Sequence, residues 1–232
     1  MSPDENENTE LTLRHRITFA TRRTLAHVSV LDLGRVWERT LRRARIPLRY
    51  SQGYNPRPKM QFALPLPTGC GGDAEWLDIW LEEPWNSARI TSALAGKTPE
   101  DLIVVAIEAA HEDEPALFER VLATEYRVLL RDVAPERVSK AVEAFLASES
   151  VLRPKRGRRR HKKYDLRPLV ESLTLENLIP EGSGEDYQDW TTALEMRLTA
   201  LPGATGRPDE LLKALDLGDV PRRCTRTRIH LD

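Results

Sequence analysis

The apolar positions in the first half of the chain change from a period of about two residues to a helical period and back again. Residues 14–20 (RHRITFA) alternate as in a strand, whereas the apolar positions between residues 33 and 44 recur at helical spacing. The predicted elements that follow are, in order, extended segments at 48–50 and 59–64, a strand at 75–82, a helix at 87–95 and a strand at 102–109. This is the βαββαβ order of a ferredoxin-like unit.

The second half of the chain predicts the same order with different residues. The predicted elements are a strand at 125–131, a helix at 135–147, extended segments at 151–154 and 164–175, a strand at 191–201, a helix at 208–215 and a strand at 223–231. We therefore predict an α+β fold of two tandem ferredoxin-like (βαββαβ) units with antiparallel sheets. The expected units span residues 13–114 and 124–232, and residues 1–12 are expected to form a disordered acidic tail.

A capping box indicates where the first helix begins. Ser29 stands three residues before Asp32, so the serine oxygen can accept a backbone N–H while the carboxylate reaches back. The apolar positions that follow fall on one face, which predicts that this face is buried and that the arginines of the helix are exposed. These candidate anion-binding residues are Arg35, Arg39, Arg42 and Arg43.

Charge is segregated along the chain, although the formal net charge is only −1. Between Arg14 and Lys59 there are 12 basic residues and two acidic ones, a local balance of +10. A basic loop at 153–167 contains the further candidates Arg156, Arg158, Arg159, Arg160, Lys162 and Lys163, whereas residues 100–119 and 171–195 contain acids and no Lys or Arg. If the fold brings the basic segments together, they form one surface for a polyanion such as RNA.

The segment YSQGYNPRPKMQFALPLPTG, residues 50–69, combines four prolines with two glycines. Gly53 allows a turn, and Pro56 and Pro58 restrict the backbone on either side of Arg57. This rigid loop predicts an anion clamp whose cations and amides bind phosphates and whose tyrosine stacks on a base. Its candidate residues are Gln52, Tyr54, Asn55, Arg57 and Lys59. The alternative is a stiff connection in which Tyr54 and Phe62 pack inward.

Motifs for cofactor, metal or hydrolytic chemistry are missing from the sequence. It has no phosphate loop, dinucleotide fingerprint or His-Glu-x-x-His motif, and two cysteines are too few for an iron–sulfur cluster. We therefore predict no cofactor, no metal and no catalytic site, with His27 as the best catalytic candidate among the five histidines. No apolar run approaches the roughly 18 residues of a membrane span, and residues 1–10 lack a secretory signal, so a cytoplasmic protein without membrane contact is expected.

Residues 29–69, followed by EWLDIWL, resemble the radical SAM-linked family of unknown function, also known as domain of unknown function 2344. The shared features are the Leu-Asp-Leu helix start, Glu-Arg-x-Leu-Arg-Arg, Tyr-Ser-x-Gly-Tyr-Asn-Pro-x-Pro-Lys and Glu-Trp-Leu-Asp, and the match is specific over about residues 14–82. This chain has Val30 and Arg57 at two positions where family members commonly have histidine. The difference argues against a shared acid–base role and strengthens the prediction of anion binding at Arg57.

The resemblance implies a helper module, because family members are fused to, or encoded beside, a radical SAM protein with a cobalamin-binding type of domain. The expected function is a non-catalytic accessory module that binds RNA, such as tRNA or rRNA, for modification by that partner. Two alternatives stay open. One is a protein-interaction subunit that docks the radical SAM partner without RNA. The other is a metal-independent endoribonuclease that uses His27, similar to the repeat-RNA-processing proteins of CRISPR systems.

Overall fold

The computed structural model describes residues 11–155, 157, 161–177 and 190–232. The chain has a mixed α+β fold and divides into two compact units, Met1–Val121 and Leu122–Asp232. Within the described residues there are five α-helices, and every strand pair with a resolved register is antiparallel. The predicted acidic tail lies outside these residues except at its end, where the first strand begins at Thr12.

Four strands of the first unit pair in the order β4-β1-β3-β2. The elements are β1 (Thr12–Thr21), a 3-10 turn (Arg23–His27), α1 (Val30–Arg43), β2 (Met60–Phe62), β3 (Cys70–Trp85), α2 (Ser87–Leu94), β4 (Leu102–Ala110) and α3 (Leu117–Arg120). Ile17 of β1 lies opposite Leu77 of β3 on one side and Ile107 of β4 on the other. The central position of β1 therefore places its inward side chains in the middle of the core.

Local sequence and packing both account for α1. Asp32 donates its backbone N–H to Ser29 Oγ at 3.2 Å, and the serine hydroxyl donates to the Asp32 carboxylate at 2.7 Å, so the predicted capping box is confirmed. Trp37 and Leu41 are fully buried, and the Trp37 ring meets Phe19 of β1 edge to face with 5.1 Å between centroids. Burial of one helix face leaves the arginine side chains on the opposite face in solvent.

The second unit has the strand order β8-β9-β5-β11, with β10 also paired to β9. Its elements are β5 (Val121–Leu130), α4 (Pro135–Ala147), β6 (Leu152–Pro154), β7 (Lys163–Asp165), a 3-10 turn (Arg167–Leu169), β8 (Val170–Asn177), β9 (Thr192–Leu201), β10 (Ala204–Thr205), α5 (Pro208–Ala214) and β11 (Arg222–Leu231). Met196 of β9 lies between Tyr126 of β5 and Leu173 of β8. These side chains and the apolar face of α4 are buried, which gives this unit a core of its own.

Several predicted boundaries differ from the structure for local reasons. The strand predicted at 75–82 is part of the longer β3, which continues past two register shifts against β1, one between Gly72 and Glu75 and one between Trp80 and Trp85. The segment predicted at 164–175 is divided into β7 and β8 by a 3-10 turn at Arg167–Leu169. Residues 48–50, predicted as an extended segment, make only isolated bridges. The short helix α3 was not predicted, because four residues are too few to show a helical periodicity. In the described part of the chain no helix is both long and apolar enough to cross a bilayer.

Candidate nucleic-acid interface

The predicted clamp loop closes on itself through main-chain and hydroxyl hydrogen bonds. Ser51 donates its N–H to the Arg57 carbonyl at 2.8 Å, and Arg57 donates its own N–H to Ser51 Oγ at 3.0 Å. Tyr50 and Pro58 form an antiparallel bridge at the base. Every residue from 51 to 57 is exposed, so the loop presents its tip to solvent.

Gly53 allows the turn at the tip of the loop, and Tyr54 is the aromatic side chain that the tip exposes to solvent. Gly53 has φ +149°, a conformation that residues with a Cβ rarely adopt, so the turn depends on glycine here. Tyr54 is 100% exposed, whereas Phe62 is half-buried with its ring centroid 6.1 Å from that of Phe19. The inward-packing alternative therefore holds for Phe62 and is wrong for Tyr54.

The other polar side chains of the tip are available for a ligand. Among the described residues, the side chains of Gln52, Asn55 and Arg57 make no hydrogen bond or ion pair. Two amides, one phenol and one guanidinium are thereby held close together on a closed loop. This combination can donate hydrogen bonds to phosphate oxygens and stack on a base.

Lys59 has a second role at the base of the loop. Its Nζ lies 4.4 Å from the centroid of the Trp80 ring, and the Arg14 guanidinium carbon lies 4.9 Å from the same ring. Its N–H donates to the Arg49 carbonyl at 2.7 Å, and its carbonyl accepts the Trp80 N–H at 3.2 Å. Lys59 is therefore both an exposed cation and an anchor that joins the loop to β3.

Two arginines of β1 are not part of any exposed basic surface. Arg14 is 1% exposed and donates to Asp78, itself 0% exposed, at 2.6 and 3.0 Å. Arg16 donates to the same carboxylate at 3.0 and 3.2 Å and to Glu114 at 2.9 Å. Arg14 also donates to the carbonyls of the segment 111–115, so this buried ion network fixes that segment on the sheet.

The electrostatics of this network follow from burial and pairing. Burial acts to lower the pKa of Arg16, but hydrogen bonds and charge from Asp78 and Glu114 outweigh it and raise that pKa. Burial likewise acts to raise the pKa of Glu114, but hydrogen bonds from Arg16 and the His111 N–H outweigh it, so this pKa is lowered. Both groups are thus charged in the folded chain.

Charge pairing reduces the basic region that the sequence predicted between residues 14 and 59. Among its 12 cations, seven are within 4.0 Å of a carboxylate oxygen: Arg14, Arg16, Arg22, Arg23, Arg35, Arg42 and Arg49. Three of their partners come from the acidic segment 100–119, which therefore neutralises part of the basic one. The cations that make no ion pair in the described part of the chain are Arg39, Arg43, Arg45, Arg57 and Lys59.

The arginines of α1 are exposed as predicted but differ in their pairing. Arg35 donates to Asp32 at 2.8 Å and Arg42 to Glu38 at 2.7 Å. Arg39 and Arg43 lie one helical turn apart, with no carboxylate partner among the described residues. The loop and the helix are therefore two candidate binding elements of the first unit.

Comparison with known proteins places this arrangement in a family. The family model described as "Uncharacterized protein conserved in bacteria (DUF2344)" matches residues 14–208. The chain belongs to the DUF2344 family. Its match begins at Arg14 of the buried ion network and ends at Pro208 at the start of α5, so it includes the loop and α1.

Other comparisons add little to the family assignment. No curated protein matches the DUF2344 chain significantly. A chain in the solved structure described as "Crystal Structure of a Cbf5-Nop10-Gar1 Complex" is similar, with a TM-score of 0.47 and 11% identity over 98% of this chain and 51% of that one. The DUF2344 chain thus spans about half the length of the chain that it matches there. This similarity is too low to indicate a shared function.

The second predicted basic element of the DUF2344 chain is a hairpin in the second unit. β6 pairs with β7, and Lys155 donates its N–H to the Lys162 carbonyl at 2.8 Å. Lys162 and Lys163 are exposed, whereas Arg153 donates to the buried Glu210 at 3.2 Å. The predicted residues Arg156, Arg158, Arg159 and Arg160 lie outside the described residues.

The histidines show what the sequence missed. His27 is exposed at the end of the 3-10 turn, as a ligand-binding or catalytic residue would be, but the described residues supply it with no hydrogen-bonding partner.

His15 is completely buried on β1, and neither ring nitrogen has a hydrogen-bond partner in the described structure. Burial lowers the pKa of His15 to about 4, so the ring is neutral at pH 7. Nor do the described residues group three or more His, Cys, Asp or Glu side chains suited to a metal.

Asp78 is the residue whose importance sequence reasoning missed. A signal was present, since an acid in the middle of the apolar strand EWLDIWL requires a buried partner. Its partners Arg14 and Arg16 are 64 and 62 positions away along the chain. From sequence alone, the RHR pattern of β1 belongs to the predicted basic region between Arg14 and Lys59.

Proposed function

We propose that this protein is a non-catalytic, cytoplasmic accessory module that binds RNA and works with a radical SAM enzyme of the cobalamin-binding type, in the modification of tRNA or rRNA. The radical SAM partner comes from the resemblance described above. The RNA-binding part of the proposal rests on the geometry of the exposed loop. The observation that carries it is the closed loop 50–59, in which Tyr54 is 100% exposed next to the exposed, unpaired Arg57.

The loop suits a single strand because it combines a stacking surface with a cation. An aromatic ring that is open on both faces can stack on any base, and stacking is typically worth about 1–3 kcal/mol per base. Arg57 can form a bidentate contact with a phosphate, and the exposed ammonium of Lys59 adds a point charge at the base of the loop. Closure by Ser51 lowers the entropy lost on binding, since the loop is already ordered.

We further propose that each unit is ferredoxin-like. The strand order β4-β1-β3-β2 with antiparallel neighbours supports this in the first unit. The order β8-β9-β5-β11 supports it in the second, with the β6–β7 hairpin inserted before β8. Such sheets place their loops and helix ends at defined positions, which provides a rigid base for the clamp loop.

The test is binding of a labelled single-stranded RNA, measured by fluorescence anisotropy over a range of salt concentrations. Each phosphate contact contributes about 0.7 to the slope of log affinity against log salt. Arg57→Ala with Lys59→Ala should therefore lower the slope by up to about 1.4. Tyr54→Ala should weaken binding by about 5- to 150-fold and leave the slope unchanged, because it removes stacking and no charge.

A matched control removes two exposed cations elsewhere. Lys97 and Lys140 are exposed and have no ion pair in the described ranges, so Lys97→Ala with Lys140→Ala removes the same charge from other surfaces. This control should bind RNA nearly as the wild type does. Absence of RNA binding by the wild type at low salt would contradict the proposal, as would an unchanged slope in the Arg57 and Lys59 variant. Retention of a radical SAM protein in copurification would then favour partner docking without RNA.

A further inference from the structure

A depression next to α1 has features that the loop does not share. It is lined by Val36, Arg39, Arg42 and Arg43 of α1 and by Pro99 from the connection between α2 and β4, and its volume is about 570 Å³. We call it the α1 pocket. Val36 packs partly against the core, so the floor is apolar and fixed, while the arginine stems form the sides.

The charges around the α1 pocket favour an anion. Arg39 and Arg43 have no carboxylate partner among the described residues, and their Cβ atoms are expected about 5–6 Å apart because they are four positions apart on one helix. Arg42 is paired with Glu38 at the rim, at 2.7 Å. Glu100 follows Pro99, but it is 92% exposed and lies 3.9 Å from Arg23. None of the lining residues is acidic.

The apolar floor of the α1 pocket and its unpaired guanidinium groups together restrict the class of ligand that it can bind. Inorganic phosphate would use the arginines and leave the apolar floor without a function, and a lipid-like molecule would do the reverse. A nucleoside phosphate uses both, because its base can pack on Val36 and Pro99 while guanidinium groups stack on the base or bind the phosphate. The volume lies within the range of about 300–1,000 Å³ that is usual for small-ligand sites.

We infer that the α1 pocket receives one extruded nucleotide of the bound RNA, with its base on the apolar floor and its phosphate on Arg39 and Arg43. This inference rests on the proposed RNA-binding function and adds a second contact point to the clamp loop. The loop stacks a base on Tyr54 alone, whereas the open α1 pocket contacts a base with side chains of α1 and with Pro99. Contact with several side chains gives the first unit a means to select among bases, which a single stacking surface lacks.

The test uses a short single-stranded RNA that contains one 2-aminopurine, whose fluorescence changes when the base leaves its stack. Val36→Phe fills the pocket without a change in charge, so it should abolish the fluorescence change and weaken binding by about 5- to 150-fold at constant salt slope. Arg39→Ala with Arg43→Ala should lower the slope by up to about 1.4 and needs no core rearrangement, since both side chains are exposed. Lys140→Ala is the control, because it removes an exposed cation of the second unit that has no ion pair among the described residues and lies outside both binding elements, and it should retain the fluorescence change and the affinity.

The outcomes separate this inference from the proposed function. If the wild type binds RNA and both pocket variants behave as the wild type does, the pocket inference is wrong and the clamp loop alone accounts for binding. If the wild type binds no RNA, both proposals are overturned. Saturable binding of free AMP by a chain that binds no RNA would identify the pocket as a mononucleotide site and overturn the RNA form of the inference. Thermal unfolding shows whether Val36→Phe is folded. If Val36→Phe is not folded, the Arg39 and Arg43 variant alone tests the pocket inference.

Discussion

Replacement of Asp78 by asparagine removes the negative charge at the centre of the buried ion network. The Asp78 carboxylate is completely buried and accepts four hydrogen bonds, two from Arg14 and two from Arg16. Asparagine has almost the same shape but carries no charge, and one of its two polar atoms donates. Arg14, which is 1% exposed, would then remain buried with its charge uncompensated.

The expected cost follows from that burial. Loss of one partner from a buried ion pair typically costs about 3–5 kcal/mol, because the remaining charge stays desolvated. Arg16 limits the damage, since it is 13% exposed and keeps Glu114 at 2.9 Å. We expect a loss of about 3–5 kcal/mol in the free energy of opening of β1 and β3. This corresponds to amide exchange that is about a hundred- to several-thousandfold faster.

Hydrogen exchange measured by mass spectrometry is the appropriate assay, because it reports on β1, β3 and the segment 111–115 separately from the second unit. The control is Glu176→Gln, which removes a partner of Arg127 in a pair whose side chains are 40% and 56% exposed. That change should cost less than about 1 kcal/mol. An increase of less than about tenfold in the exchange of β1 and β3 in Asp78→Asn would refute the assigned role of the network.

Three further predictions concern single residues of the first unit. Burial lowers the pKa of His15 to about 4 from 6.5, so the stability contributed by the neutral His15 ring is complete above pH 6.5 and is lost progressively, up to about 3 kcal/mol, as the pH falls to 4. Chemical denaturation of the wild type and of His15→Leu at pH 7.5 and pH 5 should show this loss in the wild type alone. Gly53→Ala should strain the loop by about 1 kcal/mol or more and weaken RNA binding, whereas Gly96→Ala, at another left-handed glycine with φ +66°, should destabilise the fold without an effect on affinity. Ser29→Ala removes the cap of α1 and should cost about 1 kcal/mol of stability by chemical denaturation, while equal stability of the variant would contradict the capping assignment.

The sequence by itself determined the features that depend on neighbouring residues. The start of α1 at Ser29 and Asp32, the exposure of the helix arginines and the turn at Gly53 all follow from spacing within a few positions. The order of strands and helices was also predictable, because hydrophobic periodicity changes with the type of element.

Only the tertiary structure decided which charges are available to a ligand. Ion pairing depends on distance in space, and the partners of Arg14 and Arg49 lie more than 60 positions away along the chain. The sequence therefore predicted one large basic region, whereas the fold turns Arg14 and Arg16 inward to Asp78 and leaves Arg39, Arg43 and Arg57 exposed without a carboxylate partner among the described residues. The α1 pocket likewise required the fold, since it depends on the approach of Pro99 to a helix that ends more than 50 residues earlier.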